Sequence, residues 1–103
     1  MIDQVKVRRE ALRWLVLLTL NNARPIGAYE GPILSVAQSE YPDATHMELR
    51  RKLDYLQQRG LIELTKEPSG RWFAKLTRDG IDVAEYTVEC EAGIARPAKY
   101  WGG

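Results

Sequence analysis

Between Asp43 and Leu76 the pattern of apolar and polar positions changes period. Leu49, Leu53 and Leu56 sit four and three residues apart, the spacing of one helical face. Thr45 can cap that helix, with Glu48 three residues on completing a capping box and Asp43 as the alternative cap. Gly60 supplies the left-handed residue that ends it. Leu61, Ile62 and Leu64 then leave as a strand. Pro68-Ser69-Gly70 is turn chemistry, the proline being preset for the second position of a type I turn. The return strand alternates Trp72, Ala74 and Leu76 on one face with Arg71, Phe73 and Lys75 on the other. A helix with a glycine stop that feeds a hairpin predicts the second half of a winged helix-turn-helix. Its helix would enter a groove and its hairpin would be the wing.

The first half supplies the other helices. Met1 to Asn22 predicts the first, from Asp3 as cap, with Val5, Leu12, Leu15 and Thr19 on one face and Trp14, Leu17 and Leu18 widening it. From Leu12 to Leu20 the helix is apolar nearly all round. Either the C-terminal segment covers the surplus or a dimer seam does. Pro25 and Gly27 break the helix, and Pro25 to Tyr29 can carry a short strand beside the hairpin. Gly31-Pro32 opens a second helix with Ile33, Leu34, Val36 and Ala37 buried, and Tyr41-Pro42-Asp43 is the turn that closes it. Thr77 can cap a fourth, short helix through Tyr86, with Ile81 and Ala84 inward and Gly80 weakening it. From Thr87 no period remains. The expected architecture is α+β: a three-helix core, a two- to three-stranded antiparallel wing and a short fourth helix over residues 1–86, then a C-terminal arm over 87–103.

Composition narrows the function classes. A chain of 103 residues makes one domain with one modest core. Its longest dense apolar run, Trp14 to Leu18, is too short to cross a bilayer, and no secretory signal is visible, so a cytoplasmic protein without a membrane partner is expected. The single Cys90 forms no internal disulfide, and one His with one Cys makes no zinc set. Glu89 and Glu91 beside Cys90 oppose thiolate formation. No carboxylate pair is spaced beside a histidine or nucleophile, and Gly27 and Gly31 do not match a phosphate loop. No catalytic residue, metal or cofactor is therefore assigned. The net charge is only +1, yet Lys6, Arg8, Arg9, Arg13 and Arg24 crowd the N-terminal part while Asp82, Glu85, Glu89 and Glu91 crowd the C-terminal part.

The candidate contacts follow from the expected fold. Arg50 and Arg51, with Lys52, are placed off the leucine face of the third helix, where arginine can contact bases or phosphates. The competing reading is a solvated face with Glu48 and Asp54 pairing locally. Thr45 and His46 stand at the end of that helix that docks in helix-turn-helix binding, Thr45 more as a cap than a reader. Lys66, Arg71, Lys75 and Arg78 surround the wing, Arg71 being the best placed to reach a phosphate. Trp14, Leu17, Leu18, Phe73, Tyr100 and Trp101 are candidates for a homodimer or partner interface, with Phe73 as the exposed aromatic.

The C-terminal half also resembles the small winged-helix, regulator-like proteins of Mu-like bacteriophages and prophages. The residues that carry the likeness run from Leu49 to Leu61 (LRRKLDYLQQRGL), from Trp72 to Ala84 (WFAKLTRDGIDVA) and from Gly93 to Pro97 (GIARP). The resemblance implies a cytoplasmic protein made inside an infected bacterium and no settled biochemical role. Two functions then compete: a DNA-binding regulator or accessory factor acting on double-stranded DNA as a dimer, and a protein-interaction module that uses the same fold without DNA.

Overall fold

The structure is a computed structural model that describes residues 2–99. Helix α1 (Gln4–Asn22) starts where expected: the Asp3 carboxylate accepts from the Val5 and Lys6 amides. Its buried stripe is Leu12, Val16, Leu17 and Leu20, not the Val5-Leu12-Leu15-Thr19 face predicted from the sequence. Val5 is 71% exposed, because the first turns of α1 project past the elements that cover the rest; Leu15 and Thr19 are half-buried. Helices α2 (Glu30–Glu40), α3 (His46–Gln58) and α4 (Arg78–Ala84) all contact α1, as does the sheet.

Strands β1 (Ala28–Tyr29), β2 (Ile62–Lys66) and β3 (Trp72–Leu76) form one antiparallel sheet in the order β1-β3-β2. Ala28 and Tyr29 face Ala74 and Phe73, while Ile62 to Lys66 run opposite Leu76 to Trp72. The hairpin turns as its sequence requires, with the Gly70 amide bonded to the Glu67 carbonyl and Pro68 at the second position. This is the winged helix-turn-helix, with the third strand in place.

Helix α3 buries Leu49, Leu53 and Leu56 as expected, and it ends in a Schellman motif. The Gly60 amide bonds to Gln57, the Leu61 amide bonds to Leu56, and Gly60 adopts φ +75°. The capping box is only half made. Thr45 Oγ accepts from the Glu48 amide, but the Glu48 carboxylate turns to Arg8 instead. Lys52, expected off the leucine face, is buried at 7% exposure, since three residues after Leu49 and four before Leu56 is the inward side of the helix. In α2, Ile33, Leu34 and Ala37 are buried while Val36 is exposed. Helix α4 starts at its Thr77 cap but stops two residues short of the expected Tyr86.

The arm packs on its own domain. Ile94 joins the core, the Ala95 amide bonds to the Glu10 carbonyl, and Arg96 donates to the carbonyls of Val83 and Val88. This arrangement corrects the interface assignment. Leu17 is fully buried in the core, and Trp14 is half-buried with its ring edge-on to Tyr86, centroids 5.9 Å apart. Phe73 is also half-buried, edge-on to Tyr29 at 4.9 Å, so it is not the exposed aromatic. Leu18 stays partly exposed; Tyr100 and Trp101 lie outside the described residues.

Candidate nucleic-acid interface

The polar centre of the interface is Glu30, the first residue of α2 and 6% exposed. Burying a carboxylate requires that its lone pairs be satisfied. Arg50 supplies two donors: Nε lies 2.7 Å from Oε2, and Nη2 bonds Oε1. The Trp72 amide donates to Oε1 at 3.2 Å, and His46 Nδ1 stands 3.3 Å from Oε2. The Arg50 bonds hold the Glu30 carboxyl below the usual carboxylate range, aided by His46 and the Trp72 amide and opposed by burial. Arg50 Nη2 also donates to the Gly70 carbonyl at 2.7 Å, and its guanidinium lies over the Trp72 ring at 4.5 Å. One side chain thus bolts α3 to the start of α2, to β3 and to the wing turn.

This changes the role of several predicted contacts. Arg50, expected largely exposed and a base or phosphate contact, is a half-buried clamp whose Nε and Nη2 donors are engaged inside the protein. Thr45 is the α3 cap. His46 is exposed at the α3 N-terminus, with one ring nitrogen turned to Glu30. Lys66 is tied to Asp54 at 3.2 Å and sits over the Trp72 ring at 4.3 Å, which joins the wing to α3 a second time. Arg71 stacks on Tyr29 at 3.7 Å, a ring fixed in turn by the bond from its hydroxyl to Glu67. The Glu67 carboxylate raises that phenol's pKa. Arg51 is exposed on the outward face of α3 beside Met47. Among the described residues, neither Arg51 nor Arg71 has a carboxylate within ion-pair distance. Of the four cations among the predicted DNA contacts, Arg50, Arg51, Lys66 and Arg71, these two are left without an ion pair, at the middle of the helix and the base of the wing.

Two partners escaped the sequence reading. Glu30 looked like a loop residue before a proline-opened helix, and no spacing rule links it to Arg50 on another helix. In the sequence Arg8 stands out only as N-terminal charge. It holds Glu48 with a two-pronged contact of 2.8 and 2.7 Å and Asp43 at 2.9 Å, over the Tyr41 ring, which fixes the N-terminus of α3 to α1. Cys90 is a free, half-buried thiol whose pKa burial pushes up. Among the described residues no His, Cys, Asp and Glu group could hold a metal, and no helix is long and apolar enough to cross a membrane.

No family model matches the chain, and no curated protein does. Among solved structures it is similar to one from Ralstonia eutropha JMP134 described as a "putative DNA-binding protein". The two are 29% identical with a TM-score of 0.63, and the match covers 76% of this chain and 95% of that one.

Proposed function

We propose that this chain binds double-stranded DNA, with α3 in the major groove and the wing along the flanking backbone, as a transcriptional regulator or accessory factor of a Mu-like phage or prophage. The observation that carries the DNA reading is the single rigid face made by the Glu30–Arg50 clamp. It joins recognition helix and wing while leaving Arg51 and Arg71 without carboxylate partners. A preorganised face loses little freedom on docking. The likeness to the Ralstonia protein supports the same reading, and the three sequence stretches quoted above support the phage origin. With Arg50 and Lys66 engaged internally, few cations remain to read bases, so binding rests mainly on phosphate neutralisation.

Fluorescence anisotropy of a labelled mixed-sequence duplex at two salt concentrations tests the proposal. The expected affinity is about micromolar or weaker at physiological salt, falling steeply as salt rises. Arg71→Ala should weaken binding to all sequences alike and shallow the salt slope by about one. Arg51→Ala should also weaken it; where a preferred site exists, the loss of discrimination at one base pair should be roughly 1–3 kcal/mol. Absence of binding at low salt would reject the DNA reading. The interaction-module reading would replace it, favoured by the internal neutralisation of Arg50 by Glu30 and Lys66 by Asp54.

A further inference from the structure

Helix α3 has two flanks. On one, Arg50 and Asp54 reach the wing. On the other, Glu48, Lys52, Tyr55 and Arg59 follow one another at steps of three and four, so they share a stripe that faces α1 and the arm. Arg51 and Met47 project between these flanks. The second flank is cationic in a way that the near-neutral total conceals.

Lys52 lies in this seam at 7% exposure and makes no hydrogen bond or ion pair among the described residues. Arg13 Nε is the one buried side-chain polar atom there that is fully enclosed and unpartnered, so the Lys52 ammonium keeps an opening to solvent. Burial lowers the pKa of Lys52; the Glu48 carboxylate opposes that shift, and the charges of Arg13, Arg51 and Arg9 add to it. The carboxylates nearby are engaged: Arg8 holds Glu48 and Asp43, and Glu10 faces Lys6. Arg13 is locked in place, stacked on Tyr55 at 3.4 Å and bonded to the Gly93 carbonyl. A buried ammonium with no direct hydrogen bond or ion pair, beside a carboxylate already shared with Arg8, costs stability. A bound anion would relieve that cost.

We infer that the seam between α1 and α3, formed by Arg9, Arg13 and Lys52, binds a DNA backbone phosphate on the side of α3 away from the wing. The inference rests on the DNA reading above and adds a second strand contact to it. A helix lying in a groove about 12 Å wide has a phosphate strand on each side. The wing meets one strand, and this seam lies on the opposite flank.

The test compares Arg9→Gln and Lys52→Met with Arg71→Gln by duplex anisotropy across a salt series, with thermal unfolding in parallel. Arg9 has no hydrogen bond or ion pair among the described residues, so its replacement leaves the fold intact and carries the test even where Lys52→Met folds poorly. The expected result is that each seam variant weakens binding about fivefold at physiological salt and shallows the salt slope by about one, matching the wing variant. Lys52→Met should meanwhile unfold at the same temperature as the wild type or higher. Seam variants within twofold of wild type, beside a weakened Arg71→Gln, overturn this inference and leave the DNA reading standing. A wild type that binds no duplex removes both. Wild type that binds polyglutamate and loses it in Arg9→Gln, with duplex binding unchanged, makes the seam an acidic-peptide site and overturns the assignment to DNA.

Discussion

At the scale of single residues, Arg50 shows how a side chain's type can be legible while its task is not. Helical spacing places it off the leucine face, where the structure has it half-buried. It does not reveal that Glu30, on another helix, reaches the same point. Lys52 shows the opposite failure. Its placement off the leucine face is wrong: three residues after Leu49 and four before Leu56, it lies on the inward side and is buried. The Glu30 clamp has a pH signature. Its folded pKa lies below the ordinary carboxylate value, so its stabilisation is present above the unfolded pKa and is lost as pH falls through the folded one. Glu30→Gln should therefore lower stability at neutral pH, and the gap to wild type should close in strongly acidic solution. Denaturant titrations at several pH values measure this. A gap that stays constant across the carboxylate range would show that the ionised form is not what stabilises the clamp.

At the scale of elements, legibility followed chemistry that acts locally. The Thr45 cap, the Gly60 stop and the Pro68 turn each need only a few neighbouring residues, and all three lie where the sequence put them. The face of α1 did not, because a helix that is apolar nearly all round carries no directional signal. Its direction is set by what surrounds it. The arm lacked a period for a different reason. It is seated partly by arginines donating to its backbone carbonyls, Arg13 to Gly93 and Arg59 to Ala92, and carbonyls have no sequence signature. By helix propensity Gly80 weakens α4, yet the structure gives it a purpose. A β-carbon there would stand 2.0 Å from the Leu61 carbonyl oxygen, so glycine is what lets α4 lie against the chain entering β2. Gly80→Ala should destabilise by about 1–3 kcal/mol, as overpacking does, although alanine is the better helix former. A stabilised Gly80→Ala protein in chemical denaturation would show that α4 can shift away at no cost.

At the scale of the whole molecule, the apolar surplus of α1 is the quantity that decides assembly. It predicted a homodimer on the premise that Trp14 and Leu17 lay outside the core. Leu17 is inside it, and Trp14 packs on Tyr86. Of the larger apolar side chains still exposed, Ile2, Val5 and Val7 form a small group at the start of α1, while Leu18, Ile26, Val36, Met47 and Val88 are spread over the rest of α1, the loop after it, α2, α3 and the arm. A stable dimer interface needs a continuous patch of roughly 800 Å² on each partner. Three side chains at one helix end and scattered single residues do not make one and are ordinary on a monomer. Sedimentation equilibrium should thus give a mass near 11.8 kDa at micromolar concentrations. The duplex isotherm should fit one copy per site, with no gain from a palindrome, because paired half-sites reward only a protein with matching two-fold symmetry. A dimer found at those concentrations would move the interface to a surface that includes Leu18, the one member of the predicted helix-1 seam left at the surface. Leu18→Glu should then return the protein to a monomer.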